Sequence, residues 1–289
     1  MSATTGPAPD PTGRPARSLE LGGAGGRRLS PRRRAQRARI VQYAVLVIVV
    51  AVLAFLIDWS RIGENFFNAE AVEQIAPLIP RAFLNTLIYT LCGGFAVGLS
   101  LGTLLALMKL SSVRLYRWIA TVYIEFFRGI PALLVVISFG YAVPIALGVS
   151  IGSVTTKAAL ALGMVSAAYI AETLRAGLQA VPKGQVEAAR SLGMSHGRTL
   201  VQVVIPQAFR IVLPPMTNEF ILLTKDTSLV FLLGLATSQY DLTKIGRDAL
   251  NNATGGLTPL FLIGACYLLI TLPLGQLARY LERRGVRSR

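Results

Sequence analysis

Six apolar stretches recur along this chain, at about residues 40–57, 82–108, 130–147, 158–174, 200–223 and 257–277. A hydrocarbon core about 30 Å thick takes about 20 residues of helix. Inside it every backbone polar group must find its partner within the protein. A helix meets that demand one segment at a time, so the sequence predicts an all-α integral membrane protein. Composition agrees: 53% of residues are hydrophobic, 15% are charged and mean hydropathy is +0.56, where a soluble domain carries about 25% charge.

The net charge of +15 raises the question of nucleic acid, and its placement answers it. The cations flank apolar stretches, as in the inner loops of membrane proteins. Arg32, Arg33, Arg34, Arg37 and Arg39 precede the first stretch, and Asp58, Glu64, Glu70 and Glu73 follow it. Lys109, Arg114 and Arg117 follow the second stretch, and Arg279, Arg283, Arg284, Arg287 and Arg289 the last. Both termini are therefore expected in the cytoplasm, with 58–80, 148–156 and 237–256 outside. Nucleic acid is not an expected partner. Residues 1–39, rich in Pro, Gly and Arg, read as a disordered basic tail. Its arginines either attract anionic membrane lipid or only set topology. No cleaved signal peptide is expected.

Other chemistry is thin. Cys92 and Cys266 fall inside spans and read as buried, inert thiols. His196 is the only histidine, and no cluster has metal-ligand spacing. No nucleophile–base pair stands out, so no catalytic residue is assigned. The P-loop pattern G-x-x-x-x-G-K-[ST] is absent from the sequence, so this chain is expected to bind no ATP itself.

Within the spans, Gly94, Gly98 and Gly102 recur every four residues. Such a stripe lets a second helix approach closely. Residues 114–128 read as a helix along the inner interface, broken by Gly129 and Pro131, with Glu125 and Arg128 spaced to pair. Glu172 and Arg175 repeat that spacing. Pro206, Pro214 and Pro215 are expected to interrupt the fifth span, and interrupted spans point to transport sites. Asn218 and Glu219 follow the double proline. They line a pathway, or they sit on a kink near the outer surface. Leu229–Ala236 is apolar but too short to cross, and reads as a dip into the outer leaflet.

Between the fourth and fifth spans lies the longest polar run of the central chain, Val181–Pro206. Pro182 suits a helix start and Gly193 a helix stop. Between them Gln185–Leu192 read as two turns, with Val186, Ala189 and Leu192 on one side. Ala188 and Ala189 are small enough for a partner to come close. A short capped helix between two spans reads as a docking part.

The same run resembles the EAA loop of the membrane subunits of ATP-binding cassette importers. Glu187, Ala188 and Ala189, then Gly193, then Val203, Ile205 and Pro206 fall at that loop's spacing. Y-I-A-E-T-L-R-A-G at 169–177, P-K-G-Q-V-E-A-A at 182–189, I-P-Q-A-F-R at 205–210, K-D-T-S-L at 225–229 and F-F-R-G-I-P at 126–131 narrow it to the polar amino acid permeases. The resemblance covers about residues 80–280.

It implies a type I importer-like permease with a five-helix core at 81–280. Here an extra transmembrane helix at 40–57, an external segment at 58–80 and a cytoplasmic tail at 281–289 are added. It implies partners: ATP-binding cassette ATPase subunits that use the ATP, an external substrate-binding protein, and a second permease subunit, identical or related. It makes about 182–193 the coupling helix. There Glu187 contacts the ATPase, Ala188 and Ala189 allow close approach, and Gly193 permits the terminating turn. For the substrate pathway the candidates are Asn218, Glu219, Lys225, Thr227 and Ser228. The expected cargo is an amino acid. An opine, cystine or a compatible solute stays open, as does a stand-alone secondary carrier.

Overall fold

The computed structural model describes residues 31–252 and 256–287, and all regular structure among them is helical. The chain divides between Asp58 and Trp59 into two units.

The first unit holds α1 (Pro31–Leu56), apolar on every side from Ile40 onward, with nearly every described side chain exposed. A helix of that kind belongs in lipid. The chain is already helical at Pro31, ahead of the expected start at Ile40. Arg, Ala and Gln between 32 and 39 are all good helix formers, so nothing there stops the helix. Of the disordered tail expected over 1–39, residues 31–39 are thus helical, and residues 1–30 lie outside the described residues.

The second unit begins with α2 (Trp59–Phe66) and α3 (Ala69–Ile75) in the segment expected outside. Asn68 caps α3 by accepting the Ala71 N–H at 3.0 Å. After one 3-10 turn, α4 (Ile79–Ile88), a π-turn (Tyr89–Phe95) and α5 (Ala96–Leu110) form one continuous span. Its glycine stripe packs as expected. A Cβ on Gly98 would lie 2.0 Å from Ser166 Oγ, and one on Gly102 would lie 2.9 Å from the Ala167 carbonyl. Ser166 Oγ also donates to the Gly94 carbonyl at 3.0 Å.

The segment expected on the inner surface does something else. α6 (Arg114–Gly129) buries Ala120, Ile124 and Phe127, and the Tyr123 hydroxyl donates to the Met164 carbonyl at 2.9 Å. At Ile130 and Pro131 the chain turns by 104° into α7 (Ala132–Ile137), a π-turn and α8 (Val143–Leu147). Neither arm is long enough to cross alone, and together they are. Residues 114–147 therefore pass as one span broken at Pro131, with apolar Leu115, Trp118, Ile119, Val122 and Phe126 exposed on α6 beside a polar stripe of Arg114, Arg117, Thr121, Glu125 and Arg128. With it the described residues hold up to six spans.

The hub is α9 (Val154–Gln179). It packs against α5, α6, α7 and α12, and its Ala161, Leu162, Ala167, Ala168, Ile170 and Ala171 are fully buried. Next come α10 (Lys183–Ser191), α11 (His196–Thr199), a π-turn (Leu200–Val204) and α12 (Ile205–Asp226). The expected interruption by Pro214 and Pro215 does not occur, since α12 runs through both. Each proline removes one backbone donor, and the remaining ladder holds. The departure from α geometry falls instead at the π-turn before Pro206, which gives room where the ring meets the preceding turn.

Two further expectations change. Residues 227–233 form a 3-10 helix with Val230 and Leu233 buried in the core, so the apolar run packs on protein and is no free dip. The expected loop 237–256 contains α13 (Leu242–Asn251), packed by Leu242 and Ile245. α14 (Thr258–Arg287) closes the bundle and runs past the expected end at Leu277. Cys266 is buried, whereas Cys92 is exposed on the outer face of its span, and both thiols are free.

Candidate coupling helix and pathway residues

α10 is a helix fixed at both ends. Pro182 precedes its first turn with φ −59° and ψ 129°. At the other end Gly193 takes φ +82°, a left-handed conformation that a side chain disfavours. The Gly193 N–H bonds the Arg190 carbonyl at 3.0 Å, and the Met194 N–H bonds the Ala189 carbonyl at 3.2 Å. These two bonds are the Schellman closure. Arg190 Nη1 ties the next residue down through the Met194 carbonyl at 2.6 Å. Ser195 then caps α11 by accepting the Arg198 N–H.

Val181 and Ala189 are each 6% exposed and seat the helix on the protein. Glu187 and Ala188 are exposed, and so is His196 beyond the turn. One assignment of faces was wrong. Val186 is half-buried beside Ala189, but Leu192 is 85% exposed. The Schellman turn begins at Leu192 and swings its side chain away from the buried face. The open surface thus combines a carboxylate, a small residue and one bare leucine.

The pathway candidates do not all converge. Asn218 and Lys225 are exposed, and Ser228 is half-buried. Thr227 is fully buried and donates to the Thr224 carbonyl at 2.6 Å, so it faces no open space. Glu219 is half-buried, within electrostatic reach of Arg128 and Asp226. Arg128 does not pair with exposed Glu125; its guanidinium lies 5.6 Å from the Tyr169 ring centroid. Glu219, Arg128 and Tyr169 bring α12, α6 and α9 to one place. Sequence reasoning missed Arg128 and Tyr169, although both sit inside the quoted motifs. The Glu172–Arg175 pair forms at 2.7 Å, and Lys109 joins it at 2.5 Å from Glu172.

A further polar group lies between spans. Asp241 is 0% exposed and caps α13 through its Oδ1, which accepts the Lys244 N–H at 3.0 Å. Its Oδ2 has no hydrogen-bond partner. Burial pushes its pKa up to about 6, against the opposing pull of backbone N–H groups at the helix start and of Lys244.

This is a helical membrane protein with a bent span, a small-residue hub and a capped helix presented between two spans. Residues 98–286 match the family of binding-protein-dependent transport system inner membrane components, and the chain belongs to that family. It is 33% identical over 210 residues to a probable glutamine ABC transporter permease protein, GlnM, of Bacillus subtilis (strain 168), covering 71% of this chain and 92% of that one. It is 35% identical over 222 residues to the glutamate/aspartate import permease protein GltK of Escherichia coli O6:H1 (73% and 96%). Among solved structures it matches a chain of an amino acid ABC transporter crystallised with histidines, at TM-score 0.64 and 34% identity, over 74% of this chain and 96% of that chain. The methionine transporter MetNI shares the fold at TM-score 0.58 and 22% identity. α1 lies outside the family match.

Proposed function

We propose that this chain is the membrane subunit of an ATP-driven importer for amino acids. The carrying observation is α10, a rigid, doubly capped helix with an open face, held between the hub α9 and the span α12. The cargo class follows the relatives, a probable glutamine permease and a glutamate/aspartate permease.

In this reading α10 enters a groove of a separate ATPase subunit. Glu187 makes the polar contact there, Ala188 and Ala189 allow close approach, and Gly193 holds the turn. Exposed Leu192 adds an apolar anchor. The nucleotide is bound and hydrolysed by the partner. Closure of the ATPase pair moves α10, and the bundle rocks as a rigid body between inward and outward access. A second permease subunit completes the pathway, and an external binding protein delivers substrate. Both termini and α10 lie on the cytoplasmic side. Asn218, Glu219, Lys225 and Ser228 are the pathway candidates, with Arg128 and Tyr169 beside Glu219; Thr227 supports them from the core.

Uptake by the chain reconstituted with an ATPase subunit and a binding protein recovered with it from its host tests this. ATP inside the vesicles should drive uptake of an amino acid, and collapse of ion gradients should leave it unchanged. Uptake driven by an ion gradient without ATP would mean a secondary carrier instead.

A further inference from the structure

A groove of about 590 Å³ opens between α5 and α12 and is floored by α9. Leu107 and Leu110 form one wall, Ile205 and Phe209 the other, and Leu174 and Leu178 the floor. Apart from Thr103, whose hydroxyl donates to the Leu99 carbonyl at 2.7 Å, its polar groups gather at one end, where Ser111, Gln179 and His196 stand. That end adjoins both stalks of α10, the connections at residues 180–182 and 192–195.

The length is informative. Thr103 to Ser111 on α5 rises about 12 Å, and the stretch lined by Leu200 to Val212 about 18 Å. One leaflet of a bilayer is about 15 Å of hydrocarbon. The polarity is informative too. Ser111 Oγ accepts the Val113 N–H at 3.2 Å, which leaves its own hydroxyl hydrogen to give. Gln179 Oε1 accepts from Arg175 at 2.6 Å, which leaves its amide hydrogens to give. The mouth therefore offers donors, with the Arg198 cation two residues from His196 and one net positive charge in the Lys109–Glu172–Arg175 cluster that Gln179 touches. The nearest carboxylate on the floor helix, Glu172, is already held by Lys109 and Arg175. Such a mouth suits an anion rich in acceptor oxygens.

We propose that this groove holds one acyl chain of an anionic phospholipid, with its phosphodiester among Ser111, Gln179 and His196. Its assignment to the inner leaflet rests on the orientation proposed above. The lipid fills the gap beside both stalks of α10 and steadies that helix for docking.

The full chain, placed in nanodiscs of phosphatidylglycerol and phosphatidylcholine with matched acyl chains, is released into a native mass spectrometer. One phosphatidylglycerol should stay bound, favoured about tenfold over phosphatidylcholine, whose headgroup carries no net charge. Thr103→Trp, on an exposed rim of the groove, should abolish retention without lowering the unfolding temperature. The double variant Gln179→Ala, His196→Ala should keep a bound lipid and lose the preference. Equal retention of both lipids, or undiminished retention in Thr103→Trp, overturns the proposal. So does efficient cross-linking of Phe209→Cys to a second copy in membranes, which would make the groove a subunit contact. The leaflet is read separately. An impermeant maleimide should fail to label His196→Cys from outside, in a Cys92→Ser background. Labelling from outside with phosphatidylglycerol still retained would refute the orientation and leave the lipid site standing.

Discussion

α9 and α10 are neighbours in the chain and solve opposite problems. α9 has 26 residues, and its Ala, Gly and Ser positions let four other helices approach it closely. Its identity is written in what it lacks, namely bulk. α10 has 9 residues and touches the protein mainly through Ala189. Its identity is written at its ends, in Pro182 and Gly193. Substitutions in the hub should therefore be felt as stability. Substitutions on the open face of α10 should be felt only by a partner.

The largest effect should come from Gly98→Leu. The new side chain meets Ser166 Oγ at 2.0 Å from the Cβ onward, and overpacking of this kind costs about 3 kcal/mol. Thermal unfolding in detergent should show a large drop, and an unchanged midpoint would mean that α5 does not pack on α9 as described.

Asp241 tests the contrast between a buried cap and an exposed one. Its pKa in the folded protein, about 6, lies above the ordinary 3.8. The folded state thus holds this proton more tightly. That stabilisation is full below about pH 4 and is lost as pH rises through 6, by at most about 3 kcal/mol. Asp241→Asn keeps a capping oxygen and should flatten the pH dependence between 4 and 6.5, leaving the variant the more stable form above pH 6. A parallel pH profile would show that Asp241 does not carry this titration.

Gly193→Val comes next. A residue with a side chain at φ +82° costs about 1–2 kcal/mol, confined to the end of α10. Hydrogen exchange should rise at 189–195 and stay unchanged in α9. Exchange spreading into α9 would merge the two regions into one cooperative unit. The smallest effect on stability, within about 0.5 kcal/mol, belongs to Glu187→Lys and Leu192→Ser.

Local signals were legible before the structure was known. The Pro182 and Gly193 caps, the glycine stripe and the apolar lengths each depend on neighbours within a turn or two, and each is found in the fold. Signals that depend on distant partners were not. Glu172 takes Lys109 from another helix as well as Arg175, and Arg128 takes Tyr169 in place of Glu125. The 104° turn at Pro131 was readable as a break but not as the middle of a span. α13 could have been found, because Asp241 followed by Leu242 and Ile245 is a capped amphipathic start. Leu192 was misplaced because helical periodicity was carried one residue past the point where the turn begins.

The most direct test of the central claim is co-purification of the tagged chain from its host membranes in mild detergent, beside Glu187→Lys and Leu192→Ser. The account predicts that the unaltered chain brings an ATPase subunit with it. Both variants should lose that subunit while unfolding at the same temperature as the unaltered chain. Equal recovery of the ATPase with all three would contradict it, because the open face of α10 would then not be the surface that the ATPase holds.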